Sequence, residues 1–385
     1  MKITDSIRYV GVNDHDIDLF EGQYIVPEGM AYNSYLIADE KIAVMDSVDG
    51  RFADEWLANI EKEAGGREPD YLVIQHMEPD HSSSIAAFAE RFPKAVLVSS
   101  AKSFPMLKNF YGVEYPDRQL TVGEGDRLEL GSHTLNFITA PMVHWPEVIM
   151  TYDSKDKVVF SADAFGKFGA NDIEDDDWAC EARRYYFGIV GKYGAQVQAV
   201  LKKLAAFEIE TICPLHGPVL AENLGYYLNI YDIWSSYGVE TDGVVINYTS
   251  VYGNTKKAAG MLAAKLEEYG CPKVAVNDLA RCDMAEAVED AFRYGKIVLA
   301  TTTYNGDIFP FMREFIADLA ERGMKNKKIA LIENGSWGPM AIKKMTAMLE
   351  GLKNIEFCEN TVTIKSGLSD ENITAIDALA RELCG

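Results

Sequence analysis

The sequence predicts two consecutive α/β domains: a sandwich of sheets covered by helices over residues 1–240, then a doubly wound parallel sheet over 241–385. Three observations predict this. At 385 residues the chain exceeds one ordinary hydrophobic core. Its first part carries short β-rich apolar runs whose order with the helices is mixed, which favours layered sheets. From Gly243 onward strand and helix patterns alternate regularly, the signature of a parallel sheet with crossover helices.

In the first domain the apolar runs Lys41–Asp46, Tyr71–Gln75, Ala95–Ser99, Thr134–Thr139, Val148–Tyr152, Val158–Ser161 and Ile209–Cys213 read as strands. Helical patterns cover Phe52–Ala64, Ser83–Phe92 and Tyr193–Phe207. In the second, strands are expected at Gly243–Tyr248, Lys273–Asn277, Lys296–Thr301, Lys328–Glu333 and Asn360–Ile364. The helices between and after them are expected at Asn254–Tyr269, Ala285–Ala291, Phe311–Arg322, Met340–Leu352 and Glu371–Leu383. The boundary falls in Tyr237-Gly238-Val239-Glu240-Thr241-Asp242.

Composition excludes several classes. Hydrophobic residues are 48% and charged residues 25%, so the chain is globular in type. A formal charge of −22 argues against a nucleic-acid reader, which needs clustered Lys and Arg. The start, Met1-Lys2-Ile3-Thr4-Asp5-Ser6, opens no apolar signal region, and no apolar run has the length to span a bilayer, so a cytoplasmic protein is expected. The six cysteines, Cys180, Cys213, Cys271, Cys282, Cys358 and Cys384, never form Cys-x-x-Cys. They read as free thiols in a reducing compartment, with no cysteine-ligated iron centre, so electrons must come from a separate molecule.

The densest chemistry lies in Gln75-His76-Met77-Glu78-Pro79-Asp80-His81-Ser82. In extended chain the side chains of His76, Glu78 and Asp80 share one face, and His81 adds a donor at the turn into a helix capped by Ser82, Ser83 or Ser84. A polar turn facing water is the plainer alternative. Against it stand His144, Asp163 and His216, each placed after an apolar strand, where strand ends of a layered fold converge on one rim. His15 and His133 sit in polar, surface-like sequence and are read as surface residues, and the acidic run Ile173–Asp177 as a solvated loop.

The second domain carries Tyr248-Thr249-Ser250-Val251-Tyr252-Gly253-Asn254-Thr255 between its first strand and first helix. Hydroxyls and a glycine at a helix N-terminus present backbone N–H groups to a phosphate, without the lysine of a P-loop. Two more loops, Thr301-Thr302-Thr303-Tyr304-Asn305-Gly306-Asp307 and Asn334-Gly335-Ser336-Trp337-Gly338, follow later strands at the end where doubly wound sheets bind ligands. Tyr304 and Trp337 offer flat faces for a planar ring.

The ordered set His76-x-Glu78-x-Asp80-His81, His144, Asp163, His216 resembles the metallo-β-lactamase superfamily, with Glu78 in place of the motif's second histidine. A carboxylate there is a harder, anionic ligand suited to iron. The substituted motif is the form found in flavodiiron proteins, and the three C-terminal loops resemble flavodoxin. The resemblance implies an αββα metallo-β-lactamase-like sandwich followed by a flavodoxin-like sheet. It implies one iron held by His76, Glu78 and His144, another by Asp80, His81 and His216, and Asp163 bridging the two. It implies FMN held by Ser250, Val251, Tyr252, Gly253, Asn254 and Thr255, by Thr302, Thr303, Tyr304, Asn305 and Gly306, and by Ser336, Trp337 and Gly338. Such an enzyme reduces dioxygen to water, nitric oxide to nitrous oxide, or both, with electrons from a donor protein such as rubredoxin or from a reduced deazaflavin. A head-to-tail homodimer, or a dimer of dimers, is the implied assembly.

Beyond the ligands, Trp145 is expected to wall the pocket, and Tyr185 or Tyr186 either to supply a hydrogen bond or proton or simply to pack. Some family members carry a histidine near the segment that here reads Gly29-Met30-Ala31-Tyr32-Asn33-Ser34-Tyr35, which has none. Two other readings stand beside this one: a zinc-dependent hydrolase fused to a flavodoxin module, and an electron carrier with a vestigial metal domain.

Overall fold

The structure is a computed structural model that describes residues 2–174 and 177–385. The chain divides into two compact units, Met1–Asp232 and Ile233–Gly385, where the sequence placed the break at 240/241.

In the first unit one sheet runs β1 (Ile7–Tyr9), β2 (Tyr35–Ala38), β3 (Ile42–Met45), β4 (Tyr71–Val73), β5 (Val96–Ser99) and β6 (Gln119–Thr121), adjacent in chain order. The first three strands are antiparallel, and β3 through β6 are parallel, joined by helices at Ala53–Glu63, Ile85–Arg91 and Ser103–Tyr111. The second sheet is β7 (Arg127–Glu129), β8 (Thr134–Thr139), β9 (Ile149–Asp153), β10 (Val158–Phe160) and β11 (Thr211–Cys213). It is antiparallel except for β10 with β11. Every residue of β3 and β10 is buried, as continuous apolar runs demand when both faces of a sheet are covered. The core between the sheets joins Tyr35, Ile37, Met45, Val73 and Val98 of one to Leu135, Phe137, Ile149 and Phe160 of the other.

The second unit is one parallel sheet ordered β13 (Val274–Asp278), β12 (Thr241–Tyr248), β14 (Tyr294–Tyr304), β15 (Lys327–Asn334) and β16 (Ile355–Phe357), with β17 (Val362–Ile364) pairing farther along β15. The order 2-1-3-4-5 is the flavodoxin-like doubly wound arrangement, with its switch point between β12 and β14. Helices Asn254–Glu268 and Asp370–Cys384 pack on one face through Ala258, Leu262, Leu266, Ile376, Leu379 and Leu383.

The differences from expectation are local. Strand β4 stops at Val73, so His76–Asp80 do not form the extended ladder the period-two argument assumed. Glu78 is the N-cap of a one-turn helix, Pro79–Ser82, because Pro79 fixes a helical φ at the first position. Ser84 holds the N-cap position of the Ile85–Arg91 helix but its side chain makes no capping hydrogen bond, and Ser82 and Ser83 donate to the Met77 and Pro79 carbonyls. His133, read as a surface residue, is buried, with Nδ1 3.0 Å from Asp153. His15 is exposed, facing Asp172 at 3.1 Å. Of the acidic run, Asp175 and Asp176 lie outside the described residues. Two small hairpins, Val12–Asp14 with Met30–Tyr32 and Leu19–Phe20 with Tyr24–Ile25, were not anticipated. Among the described residues, no helix is long and apolar enough to cross a membrane.

Candidate metal centre and flavin site

Four segments after strands deliver the seven motif residues to one place: the stretch after β4, the β8–β9 connection, and the ends of β10 and β11. They form two groups. In the first, Glu78 Oε2 lies 3.1 Å from His76 Nε2 and 3.0 Å from His144 Nε2. Asp163 Oδ2 lies 3.2 Å and 3.0 Å from the same two nitrogens. In the second, Asp80 Oδ2 is 3.2 Å from His81 Nε2 and 3.3 Å from His216 Nε2. Asp163 Oδ1 turns to this group, 3.5 Å and 3.7 Å from those nitrogens. One carboxylate therefore faces both groups, an oxygen to each.

The donors fit metal ions on three grounds. Ligands about 2.0–2.2 Å from a metal are themselves separated by roughly 3–3.6 Å in tetrahedral or octahedral array, which is the spacing observed. Both oxygens of Asp80 and of Asp163 are buried without a hydrogen bond, a costly state unless a cation faces them. His81 Nε2 and His216 Nε2 converge to 2.9 Å, a spacing that two ligands of one ion take. The protonation balance reports the same negative field. Burial opposes charge on His76 and His144, yet Asp163 and Glu78 outweigh it and lift both, His144 to about 9. Burial likewise opposes the Asp163 carboxylate, and His76, His144 and His81 outweigh it, holding its acid form well below the usual range.

The chain holds the donors from behind. Glu147, fully buried, accepts from His76 Nδ1 at 2.9 Å and from the Met77 backbone N–H at 3.0 Å, fixing which ring nitrogen faces the centre. His216 Nδ1 donates to the Ala31 carbonyl at 2.7 Å. Asn33 Nδ2 donates to the Pro214 and Gly217 carbonyls, and Tyr35 Oη to Pro214, so Tyr32–Tyr35 braces the His216 loop. Asp46 accepts from the Gln75 backbone and side chain, anchoring the segment that leads into His76. Ala162 and Met142 adopt left-handed φ of 50° and 64° one and two residues before Asp163 and His144, the strained backbone that functional loops often carry.

Aromatic rings enclose the centre. Trp145 lies 5.2 Å from the His76 ring and 6.0 Å from His144. Phe20, on the unanticipated Leu19–Ile25 hairpin, lies 5.3 Å from His216. Tyr185 lies 5.5 Å from His216, and burial together with the nearby Asp163, Glu78 and Asp80 carboxylates raises its pKa well above the ordinary phenol value. Tyr186 instead packs on Tyr231 at 5.2 Å.

In the second unit the loop after β12 leads through Gly253, at φ 88°, into helix Asn254–Glu268. Ser250 Oγ accepts from the Gly253 N–H at 3.1 Å, Thr249 and Thr301 hydroxyls meet at 2.6 Å, and those of Thr255 and Thr302 at 3.3 Å. The first two loops thus sit side by side over β12 and β14, and the chain just past the third, which follows β15, joins them where the Met340 N–H donates to Thr303 Oγ1 at 2.9 Å. Trp337 is 97% exposed, Tyr252 93% and Tyr304 44%, so none of the three is a core residue. Asn334 and Ser366 exchange backbone and side-chain hydrogen bonds, and Ser366 donates to Ser336 at 2.7 Å, adding a fourth loop the sequence reading missed.

Comparison with known proteins agrees with both units. The family described as ODP family beta lactamase matches residues 30–217, and the one described as flavodoxin domain matches 245–339. The solved rubredoxin oxygen:oxidoreductase of Desulfovibrio gigas superposes with a TM-score of 0.92 at 25% identity, covering 100% of this chain and 97% of that one. The flavodiiron protein of Giardia intestinalis gives 0.92 at 28% identity, covering 99% and 96%. Over essentially its whole length the chain is similar to flavodiiron proteins. A curated relative, the anaerobic nitric oxide reductase flavorubredoxin of Vibrio vulnificus, is 29% identical over 362 residues, 91% of this chain and 72% of that protein.

For a flavodiiron protein the family places a diiron centre in the first unit and FMN in the second, and the residues above are of the kinds that would hold them. Glu147 and Ser366 were not found from sequence. The only available signal for Glu147 was a carboxylate three residues after His144, which carries no hint of its contact with His76, 71 positions away in sequence.

Proposed function

We propose that this chain is a flavodiiron protein that reduces dioxygen to water and nitric oxide to nitrous oxide, dioxygen being the preferred substrate. Residues 1–240 form the metal-bearing part and 241–385 the flavin-bearing part. His76, Glu78 and His144 hold one iron, Asp80, His81 and His216 the other, and Asp163 bridges them. The observation that carries this is the division of Asp163, whose two oxygens face separate His–carboxylate groups. Three carboxylates among seven donors suit redox iron better than a zinc hydrolase set. When bound, the flavin and the iron pair supply the electrons, four per dioxygen or two per pair of nitric oxide molecules, with matching protons.

The protein's own work is to hold, shield and protonate. Glu147 fixes the His76 ring, and the Ala31 carbonyl fixes His216. Trp145, Phe20 and Tyr185 surround the centre with low-dielectric walls that exclude bulk water and favour a small uncharged gas. Tyr185 keeps its proton, because burial and the nearby carboxylates push its pKa well above the ordinary phenol value, and so it can donate a hydrogen bond toward the centre. Tyr186, turned to Tyr231, serves packing.

The loops 250–255, 302–306 and 336–338 cradle the flavin: N–H groups at the helix start take the terminal phosphate, while Tyr304 and Trp337 flank the ring. Rubredoxin is the donor this reading favours, supported by the name of the Desulfovibrio gigas neighbour. A cytoplasmic head-to-tail homodimer, alone or paired, completes the proposal. The test is metal and flavin analysis of the purified protein, then anaerobic reduction and stopped-flow mixing with dioxygen and with nitric oxide separately. Two irons and one FMN per chain, with faster reoxidation by dioxygen, are expected. Zinc in place of iron would overturn the reading, and equal rates would remove the substrate preference.

A further inference from the structure

Within the second unit, two half-buried cysteines meet at one backbone carbonyl. Helix Asn254–Glu268 ends in a turn through Gly270, at φ 80°, that brings the Cys271 N–H to the Leu266 carbonyl at 2.9 Å. The last turn of the C-terminal helix, Asp370–Cys384, lays the Cys384 sulfur against the same carbonyl at 3.8 Å. Cys384 also interacts with both the thiol and the backbone N–H of Cys271, so the two sulfurs are neighbours across 113 residues of chain. The Cys271 thiol points to the Lys273 carbonyl at 3.3 Å. Burial and the neighbouring Cys271 raise the Cys384 thiol above its ordinary value, an effect that the nearby Lys296 ammonium, which donates to the Leu383 carbonyl at 2.8 Å, offsets only in part.

Packing alone is a weaker account of this pair. Cys213 and Cys358 are buried cysteines that fill their cores as small hydrophobes. Cys271 and Cys384 lie at the edge of the core that contains Cys358, partly open to solvent and both against the Leu266 carbonyl. Vicinal, accessible thiols are the arrangement in which a first oxidation is captured by the second sulfur.

We infer that Cys271 and Cys384 form a disulfide when the protein meets a peroxide, fastening the end of the C-terminal helix to the end of the helix that starts at the Gly253 loop. The step balances with hydrogen peroxide as oxidant. One thiolate displaces hydroxide from the peroxide to give a sulfenic acid. The other thiol then forms the S–S bond and releases water, so two cysteine sulfurs are oxidised and one peroxide becomes two waters. A thiol reductant returns both cysteines.

The test uses the full-length, flavin-loaded protein, reduced and then treated with graded hydrogen peroxide, alkylated under non-reducing conditions and digested. Expected is a cross-linked peptide pair joining Cys271 to Cys384, two hydrogens lighter than its parts and released by dithiothreitol. The melting temperature of the flavin-bearing unit should rise by about 5 °C or more, because a loop this long is closed in the unfolded chain. In Cys271→Ser and in Cys384→Ser, FMN content should match wild type while the cross-link and the shift disappear. Separate alkylation of both thiols after peroxide, over-oxidation without cross-linking, or pairing of either with a different cysteine would overturn the inference.

Discussion

In the proposed metal centre Asp163 is the residue that faces both groups of donors. Replacing it with Ala removes the one group that touches both donor sets, so metal analysis of D163A should show the paired site lost rather than a modest change in turnover; two irons retained per chain would refute the bridging role. Glu147 acts one step further out. Glu147→Gln keeps an oxygen for the His76 N–H but loses the negative charge, and Glu147→Leu loses both. Metal affinity in a chelator competition should fall by roughly 10–100-fold in the leucine variant and less in the glutamine one. The seven residues that converge were legible because each carries a chemically distinctive side chain placed just beyond an apolar run. Glu147 was not, because an acidic residue in a loop announces nothing until the fold brings it to a ring nitrogen. Tyr185 and Tyr186 show the same limit. Adjacent on a helix, they diverge by about 100° and only the fold separates the one near the carboxylates from the one facing Tyr231.

At the level of elements, hydrophobic periodicity marked the central strands and most of the long helices to within a few residues, since their burial is continuous, but it left out the helices Ser103–Tyr111, Trp178–Tyr185 and Leu224–Ser236. It overran β4, where apolar Ile74 continues the pattern but the chain has already left the sheet. The two N-terminal hairpins escaped it because two- and three-residue strands are too short to show a period. In the loop after β12 the decisive element is a turn. Gly253 sits in left-handed backbone with open space where a Cβ would go, so Gly253→Ala meets no clash and its cost is conformational. Denaturation of the apo form should show a loss of about 1 kcal/mol, with FMN affinity falling further because the same turn aims the helix-start N–H groups; an unchanged flavin affinity would remove this loop from the phosphate site.

Strand β15 offers a different handle. Lys327 is buried at its start and donates to the Phe292 and Tyr294 carbonyls at 2.7 and 2.5 Å. Burial, opposed by Glu240, lowers its pKa to about 7. An unfolded lysine holds its proton to about pH 10.4, so between pH 7 and that value the unfolded chain binds a proton that the folded one lacks. Stability of the second unit should therefore rise with pH across this window and be lowest below pH 7, where the buried ammonium is fully charged. Urea midpoints taken from pH 6.5 to 9.5 should climb in wild type and climb less in Lys327→Met; parallel curves would show that the lysine stays charged when buried.

For the whole molecule, the charge of −22 concentrates a consequence in the first unit, where the carboxylates of Asp80 and Asp163 are buried with oxygens that accept no hydrogen bond. Removing metal leaves those carboxylates compensated only by imidazoles that must take up protons in a buried site. Extensive chelation should lower the unfolding temperature of the metal-bearing unit by more than that of the flavin-bearing unit, as followed by calorimetry, and restoring ferrous iron anaerobically should recover it. Equal shifts in both units would point to a general effect of the chelator.

The supports behind the imidazoles are unequal: an anionic carboxylate stands behind His76, a neutral carbonyl behind His216, and the Nδ1 of His81 is buried with no hydrogen-bond acceptor. A ring leaning on an anion is the stronger electron donor. The two coordination positions are thus built to be dissimilar, the one containing His76 favouring the more oxidised ion. Mössbauer spectra of the half-reduced protein should resolve a valence-localised pair, with the ferric signal assigned to the side that Glu147 supports.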